Sequence, residues 1–202
     1  MANVAYVEDV VLVDRCLEGE EAAARELFRK HRARVHACLY RVLGGNRDMD
    51  DLLQDVFIQI FQSLKSWRAE ASLATWIDRI AVRVAWRYLS HRKATPPTLE
   101  LVEDAVTLSL VGPGSGAAGG ARKAMAREGV RRLYAAMDRL PPAARVAFAL
   151  HEIEGRPMAE VATLTGASVT ATKLRVWRAR RALEASAAKD PVLREMLEER
   201  DA

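Results

Sequence analysis

Residues 157–183, PMAEVATLTGASVTATKLRVWRARRAL, contain two short helical patterns separated by a glycine. The first pattern places one helix face inward at steps of three and four residues: Met158, Val161, Ala162 and Thr165. Gly166 supplies the turn, and Ser168 is a suitable N-cap for the second helix. The second pattern has its own inward stripe: Val169, Thr172, Val176, Ala179 and Leu183. The stretch therefore predicts a helix-turn-helix.

The outward face of the second helix is basic. Five Lys and Arg residues, and no Asp or Glu, lie between Ser168 and Arg181. Such a run often marks only a solvated surface, but an outward Trp177 favours nucleic-acid binding. Helix phase alone leaves open whether Trp177 is exposed or fills a neighbouring crevice. We interpret this helix as a DNA-binding surface.

The composition indicates a helical protein, with two small domains favoured over one large domain. The chain has 202 residues, of which 50% are hydrophobic and 6% aromatic, and alternating β-branched runs are scarce. The formal net charge is only +4, and residues 1–30 hold seven acids against four bases. An acidic end combined with basic helices fits a nucleic-acid binder that has a separate protein partner.

No metal, cofactor or catalytic site is expected. Cys16 and Cys38 are the only cysteines, and they lack the paired short spacings of zinc sites. The GxGxxG match at residues 114–119 follows no predicted strand, and the HExxH-like string starting at His151 has Gly155 in place of its second histidine. The opening MANVAYVEDV has no basic start and no long apolar run, so we expect no signal peptide, no membrane span and a cytoplasmic location.

Two helix-rich segments flank a stretch rich in glycine. In the first segment, Gly19 marks a break, and a helix that Asp48 can cap buries one stripe: Leu53, Val56, Phe57, Ile60 and Leu64. A helix capped by Ser72 buries another stripe: Leu73, Ile77, Ile80, Val84 and Tyr88. We expect an all-α fold of two small helical domains joined by a flexible linker: domain residues 1–93, linker residues 94–124, domain residues 125–185 and a C-terminal tail at residues 186–202.

The helix that follows Ser72 combines basic and aromatic residues. Its sequence, LATWIDRIAVRVAWRYLSHRK, interleaves arginines with Trp76, Trp86 and Tyr88. Basic side chains hold phosphates, and aromatic rings stack on unpaired bases, each stack contributing ~1 to 3 kcal/mol. Tyr88 lies on the buried stripe and is interpreted as a core residue, whereas Trp76 and Trp86 are candidates for a surface role. This pattern predicts binding to single-stranded nucleic acid.

Three motifs in order resemble the extracytoplasmic-function branch of the bacterial sigma-70 family. They are DMDDLLQDVFIQIFQSL, then SLATWIDRIAVRVAWRYL, then LPPAARVAFALHEIEG followed by the basic helix-turn-helix. The resemblance covers about residues 9–92 (region 2) and about residues 130–183 (region 4). It implies two all-helical domains, core RNA polymerase as a partner, and recognition of promoter DNA at the -10 and -35 elements.

The resemblance also implies a role for particular residues. Those matching the core polymerase docking motif are Asp51, Leu52, Gln54, Asp55 and Phe57. Those matching the -10 regions are Lys65, Arg68, Thr75, Trp76, Arg79, Arg83 and Arg87. Those on the -35 helix are Thr170, Lys173, Leu174, Arg175, Trp177, Arg178 and Arg181. Thr170, Ala171, Thr172 and Leu174 depart from the residues usual in the family, so the base preference is expected to differ from that of relatives.

Two classes of function are weighed against each other. The first is a promoter-specificity subunit of RNA polymerase that has no catalytic site of its own. The resemblance adds an anti-sigma factor as a partner, which can hold such a protein at the inner membrane. The second is an autonomous helix-turn-helix regulator, which would need a ligand pocket or a dimerisation helix in its first half. An enzyme is excluded because no nucleophile and base lie in a recognisable pattern.

Overall fold

The computed structural model of this chain describes residues 4–92, residues 117–191 and residue 194. The described residues form α-helices and no strand, as the sequence predicts. The helices are α1 (Val4–Leu17), α2 (Glu21–Leu43), α3 (Met49–Ser63), α4 (Leu73–His91), α5 (Ala117–Met137), α6 (Pro142–Phe148), α7 (Met158–Thr165) and α8 (Val169–Ala187). A 3-10 turn at Leu64–Ser66 follows α3, and a π-helical turn at Ala149–Ile153 continues α6.

The helix boundaries follow from local residue chemistry. Gly19, with φ at 87°, separates α1 from α2 in the left-handed region that favours glycine. The Ser72 hydroxyl accepts a hydrogen bond from the Thr75 amide at 3.2 Å and caps α4. The Ser168 hydroxyl caps α8 in the same way, accepting from the Ala171 amide at 3.1 Å. Both predicted serine caps are therefore confirmed.

Helices α1 to α4 form the first half of the structure. α2 packs against α1, α3 and α4, and α3 packs against α4. The interior of this half is aliphatic and fully enclosed, with large buried side chains at Leu27, Leu39, Ile60, Leu73 and Ile77. Burying a side chain of this size contributes about 1.5–3 kcal/mol, so the hydrophobic stripes of three helices account for the packing.

Helices α5 to α8 form the second half and contain the predicted helix-turn-helix. α7 ends at Thr165, Gly166 with φ at 63° is its left-handed C-cap, and α8 starts three residues later at Val169. The inward residues of α7 and α8 share a core with α6: Val146, Leu150, Val161, Val176 and Ala179 are buried. The helix-turn-helix is thus held by α6, which packs against both of its helices.

The two halves contact each other directly. α4 packs against α6 and α7, and α2 packs against the π-helical turn. The buried apolar residues form one cluster that includes residues of both halves. In this arrangement, parts of the outward faces of α3, α4 and α8 are exposed to solvent.

Three sequence predictions differ from the structure. Val169 lies in the first turn of α8, where the core does not reach it, so it is exposed and not part of the inward stripe. The Asp48 side chain does not cap α3 but accepts a hydrogen bond from the Tyr88 hydroxyl at 2.8 Å. Residues 117–124 of the predicted linker begin α5, although Gly119 and Gly120 lie there. The predicted linker from residue 94 to residue 116 and the tail after residue 194 lie outside the described residues.

Candidate functional site

The outward face of α3 carries part of the predicted docking motif. Asp51, Gln54 and Asp55 are exposed on the side of α3 that faces away from α2 and α4, with Gln54 and Asp55 one helical turn after Asp51. Leu52 and Phe57 belong to the same predicted set, but both are buried in the core of the first half. Three polar residues of the motif are therefore exposed, whereas Leu52 and Phe57 pack into the core and hold α3 in place.

Exposed apolar side chains continue this polar face. Ile58, 44% exposed, lies one turn beyond Gln54, and Phe61 is 39% exposed near the end of α3. The Phe61 ring lies 6.4 Å from that of Phe57, which in turn lies 4.6 Å from the half-exposed Phe28 on α2. Sequence reasoning missed Ile58 and Phe61, although both follow Gln54 at helical spacing. We call Asp51, Gln54, Asp55, Ile58 and Phe61 the docking face.

The connection between α3 and α4 is held in a defined shape. The Trp67 indole Nε1 donates a hydrogen bond to the Ala71 carbonyl at 3.0 Å, and Ala69 has a left-handed backbone with φ at 59°. This turn presents Lys65 and Arg68, two of the predicted -10 residues, with exposed side chains. The loop therefore contributes positive charge at the start of α4.

The outward face of α4 is basic because its single acid is hidden. Asp78 is the only Asp or Glu in Leu73–His91, and its side chain is completely buried. It binds the Arg34 guanidinium of α2, and these hydrogen bonds raise the pKa of Arg34. Arg83 and Arg87 are exposed on the opposite side of the helix, so no carboxylate of α4 offsets their charge.

Other predicted -10 residues on α4 are only partly accessible. Thr75, Trp76 and Arg79 are half-buried, and the Trp76 ring packs against the core. The Nε of Arg79 is buried and has no hydrogen-bond partner among the described residues. Trp86, by contrast, is 48% exposed between Arg83 and Arg87. We call Thr75, Trp76, Arg79, Arg83, Trp86 and Arg87 the α4 basic face.

The outward face of α8 exposes most of the residues predicted to contact the -35 element. Trp177 is 58% exposed and Leu174 is 44% exposed, so Trp177 does not fill a crevice in this structure. Lys173 and Arg178 are exposed beside them and form no ion pair with any described residue. Three further predicted -35 residues differ in exposure: Thr170 and Arg181 are exposed, and Arg175 is half-buried. These seven residues form what we call the reading face.

The inward side of α8 explains why the reading face is presented outward. Thr172 is fully buried, and its hydroxyl donates a hydrogen bond to the Ser168 carbonyl at 2.9 Å. Val176, Ala179 and Leu183 follow it into the core at helical spacing. Because these four residues fix the rotation of α8, the basic and aromatic side chains on its other side face solvent.

Two family models match the chain in the regions that carry these faces. Sigma-70 region 2 matches residues 27–95, which include α3 and α4, and Sigma-70 region 4 matches residues 130–183, which include the helix-turn-helix. Together the two matches span more than half of the chain. The chain belongs to the sigma-70 family. It is therefore a sigma factor, and the alternative of an autonomous regulator is set aside.

Curated relatives place this sigma factor in the extracytoplasmic-function branch. It is 29% identical over 177 residues to the ECF RNA polymerase sigma-E factor of Haemophilus influenzae, covering 87% of this chain and 93% of that protein. It is also 29% identical over 184 residues to the ECF RNA polymerase sigma-E factor of Escherichia coli K12, covering 87% of this chain and 92% of that protein. The predicted family is confirmed.

Solved structures share the fold of this sigma factor. CnrH, solved in complex with the cytosolic domain of CnrY, superposes with a TM-score of 0.57 at 20% identity, covering 90% of this chain and 98% of CnrH. The sigma factor RpoE of Bartonella quintana, solved with the anti-sigma factor NepR, gives a TM-score of 0.54 at 17% identity, covering 82% of this chain and 97% of RpoE. At these identities the likeness concerns the fold.

Two kinds of feature are not found in the part of the chain that the structure describes. No helix in residues 4–92 or 117–191 has the length and apolar character needed to cross a membrane. Within the same ranges, no three His, Cys, Asp or Glu side chains come together in a way that could hold a metal ion.

Proposed function

We propose that this sigma factor binds core RNA polymerase through the docking face of α3, and that it presents the α4 basic face to the -10 element and the reading face of α8 to the -35 element. In this proposal it supplies promoter specificity and has no catalytic site of its own. Residues 1–93 act as the polymerase-binding and -10 domain, residues 125–185 act as the -35 domain, and the residues between them act as the linker.

The docking face has the composition expected of a surface that binds a basic helix. Two exposed carboxylates, Asp51 and Asp55, precede the exposed apolar side chains of Ile58 and Phe61 along α3. Apolar burial at the centre of an interface supplies affinity, and complementary charge around it speeds association and excludes wrong partners. The partner surface should therefore carry Lys or Arg around an apolar centre.

The α4 basic face suits DNA whose strands are separated. Arg83 and Arg87 can hold phosphates, and the exposed Trp86 ring between them can stack on an unpaired base. Unpairing duplex DNA costs a few kcal/mol per base, so a surface that binds the separated strand stabilises the open form. Lys65 and Arg68 extend the positive surface from α4 into the preceding loop.

The reading face of α8 suits the major groove of duplex DNA. Arg178 can donate two hydrogen bonds to a guanine edge, and Leu174 and Trp177 can contact thymine methyl groups. The exposure of Lys173, Leu174, Trp177 and Arg178 on one helix of a helix-turn-helix is the observation that carries this part of the proposal. Lys173 and Arg181 would hold phosphates and set the register on the duplex.

An anti-sigma factor is a further proposed partner. Support comes from the fold shared with RpoE of Bartonella quintana, which was solved with the anti-sigma factor NepR. We also propose that the protein is cytoplasmic. In its inactive state, the anti-sigma factor would hold it at the inner membrane.

Run-off transcription with purified core RNA polymerase tests the proposal. The protein should direct initiation from a subset of templates in a library of genomic fragments, and core polymerase alone should not. Asp51→Arg, which reverses one charge on the docking face, should reduce those products, whereas the matched change Asp14→Arg on the exposed part of α1 should not. Tight duplex binding without any defined start site would contradict the proposal.

A further inference from the structure

The outward side of α2 carries a row of basic side chains that belongs to none of the three faces described above. Arg25, Arg29 and Arg32 are exposed and His36 is half-buried, and they follow one another at steps of four, three and four residues. At about 100° per residue these steps place all four on one side of the helix, opposite the buried Leu27. We call these four residues the α2 basic row.

The other basic side chains of α2 are held by carboxylates from neighbouring helices. Lys30 Nζ lies 2.8 Å from an Asp9 oxygen of α1, and Arg34 binds the buried carboxylate of α4. Arg29 and Arg32, by contrast, form no ion pair with any residue that the structure describes. Their guanidinium groups are therefore available to an anionic ligand.

The nearest carboxylates along α2 do not neutralise the row. Glu21 pairs with Arg25 at the start of the helix, where both side chains are exposed. Glu26 is held by Arg15 of α1, at 3.3 Å. Exposed ion pairs of this kind contribute little to stability, so an incoming anion can replace Glu21 beside Arg25.

The residues between these charges favour double-stranded DNA as the ligand. Ala22 and Ala33 are exposed on the same side of α2, and the bordering Phe28 packs its ring on Phe57, 4.6 Å away. A protein interface needs an apolar centre, whereas phosphates are bound by charge and hydrogen bonds alone. The row also holds no exposed Trp, Tyr or Phe ring to stack on unpaired bases, unlike α4 with its Trp86.

The length of the row suits several phosphates of one DNA strand. From Arg25 to His36 an α-helix rises about 16 Å, and the phosphates of one strand recur every 3.4 Å, roughly, along the duplex axis. The row therefore spans about five phosphates. Each guanidinium in it can donate two parallel hydrogen bonds to one phosphate.

We propose that the α2 basic row binds the phosphate backbone of double-stranded DNA, at a site separate from the α4 basic face and the reading face. Arg34, which reaches α4, lies on the opposite side of α2 from His36, so the row meets DNA on a different side of the first half. The contact is independent of sequence and adds affinity for the duplex beside the -10 element, a location that rests on the proposed function.

The salt dependence of duplex binding tests for these phosphate contacts. Arg29→Gln combined with Arg32→Gln should lower the slope of log K against log salt concentration by about 2 on a random-sequence duplex, because each lost contact releases about one counterion fewer. The matched control, Arg139→Gln combined with Lys189→Gln, removes the same charge from exposed positions outside the row and should change the slope much less. Arg29→Lys combined with Arg32→Lys keeps the charge and should keep the slope.

A cleavage reagent tethered to α2 locates the bound DNA. Iron–EDTA is attached at Ala33→Cys, exposed one turn after Arg29, in the full chain carrying Cys16→Ser. Cys38 stays in place, because burial raises the pKa of its thiol to about 12 and keeps it unreactive. This derivative should cut a random-sequence duplex, and a control derivative at Asp14→Cys, on the exposed side of α1, should cut it much less. With core polymerase and a promoter, the cuts should fall in the duplex beside the -10 element.

Three results would overturn the proposal. The first is a slope that falls no further in the Arg29 and Arg32 glutamine pair than in the control pair, and the second is an equal loss in the lysine pair. The third is cleavage confined to polymerase subunits, which would assign the row to a protein partner. Both arginines are exposed, so the Tm should be unchanged, and the tethered reagent decides the question if either pair loses stability.

The same measurements separate this proposal from the proposed function. If the Ala33→Cys derivative cuts duplex DNA but the protein directs no transcription, the α2 basic row stands and the proposed function fails. If the protein directs transcription and the derivative cuts no DNA, the proposed function stands and the row has no DNA contact.

Discussion

Asp78 and Arg34 form a bidentate ion pair inside the first half of the structure. Arg34 Nε lies 2.8 Å from Asp78 Oδ1, and Nη2 lies 2.6 Å from Oδ2. The carboxylate is fully buried, whereas the guanidinium is 44% exposed. The pair joins α2 to α4 and removes from the surface the only negative charge that α4 carries. Asp78 therefore joins two helices of the first half and leaves the exposed side of α4 with basic charge alone.

Asp78→Ala should lower the free energy of unfolding by about 3 kcal/mol, the lower end of the range for breaking a buried ion pair. Arg34 can regain water on its exposed side, and Arg156, which also pairs with Asp78, keeps Glu154 and Glu160. Urea unfolding followed by circular dichroism measures the change. Glu70→Ala, at an exposed acid, is the control and should shift stability by about 0.5 kcal/mol or less. A loss below about 1 kcal/mol for Asp78→Ala would show that the pair contributes little.

Helical periodicity predicted the helices and their ends more reliably than it predicted which side chains are exposed. The serine caps at Ser72 and Ser168 and the turn at Gly166 depend on neighbouring residues, so the sequence alone located them. The exposure of Ile58 depends on which neighbours cover α3, and this is a tertiary property. The hydrogen bond from Arg145 to Val42 joins residues about a hundred positions apart, which no local pattern encodes.

The exposure of candidate site residues was predictable where helical periodicity alone decides which side of the helix they occupy. Trp177 and Lys173 share the outward side of α8, as their spacing from the buried Thr172 and Val176 requires. Phe57 occupies a position in the docking motif but points into the core, because its ring fills the space beside Phe28. A motif identifies a segment, and packing decides which of its side chains a partner can reach.

The docking face should lose affinity for core polymerase when its apolar side chains are shortened. Ile58→Ala and Phe61→Ala should each raise the Kd by roughly tenfold, because each exposed side chain would be buried in the complex. Val11→Ala, at a somewhat more exposed apolar position of α1 (52%), should leave the Kd unchanged. Fluorescence anisotropy with labelled protein measures the affinity.

Thermal unfolding separates docking from folding for the same variants. Ile58 and Phe61 are 44% and 39% exposed, so the truncation of each should lower stability by only about 1 kcal/mol and leave the protein folded. A large drop in Tm accompanied by the loss of polymerase binding would assign these side chains to the core of the first half instead.

The reading face should show sequence-dependent loss of binding when Arg178 is truncated. Arg178→Ala should weaken binding to the preferred duplex by ~1 to 3 kcal/mol. It should weaken binding much less for duplexes that lack the base contacted by Arg178. Lys173→Ala should weaken all duplexes by a similar factor and lower the salt dependence, because it would hold only phosphate. Lys189→Ala, an exposed lysine beyond the end of α8, is the control for loss of charge. If Arg178→Ala lowers the affinity for every duplex equally, Arg178 contacts only phosphate and reads no base.

His31 should make the fold less stable as the pH falls below neutrality. Burial lowers the pKa of His31 below its usual value, an effect that Asp9 partly opposes. The native state therefore holds His31 neutral at pH values where the unfolded chain, with a pKa of about 6.5, is protonated. The unfolded state then binds more protons, so stability is lost as the pH drops through about 6.5, and the loss ends once the lower native pKa is passed. Urea unfolding between about pH 7.5 and about pH 5 measures how the free energy of unfolding depends on pH. His31→Leu should abolish this dependence. His91→Leu, at an exposed position, is the control and should preserve it. An unchanged slope in His31→Leu would assign the acid sensitivity to the carboxylates.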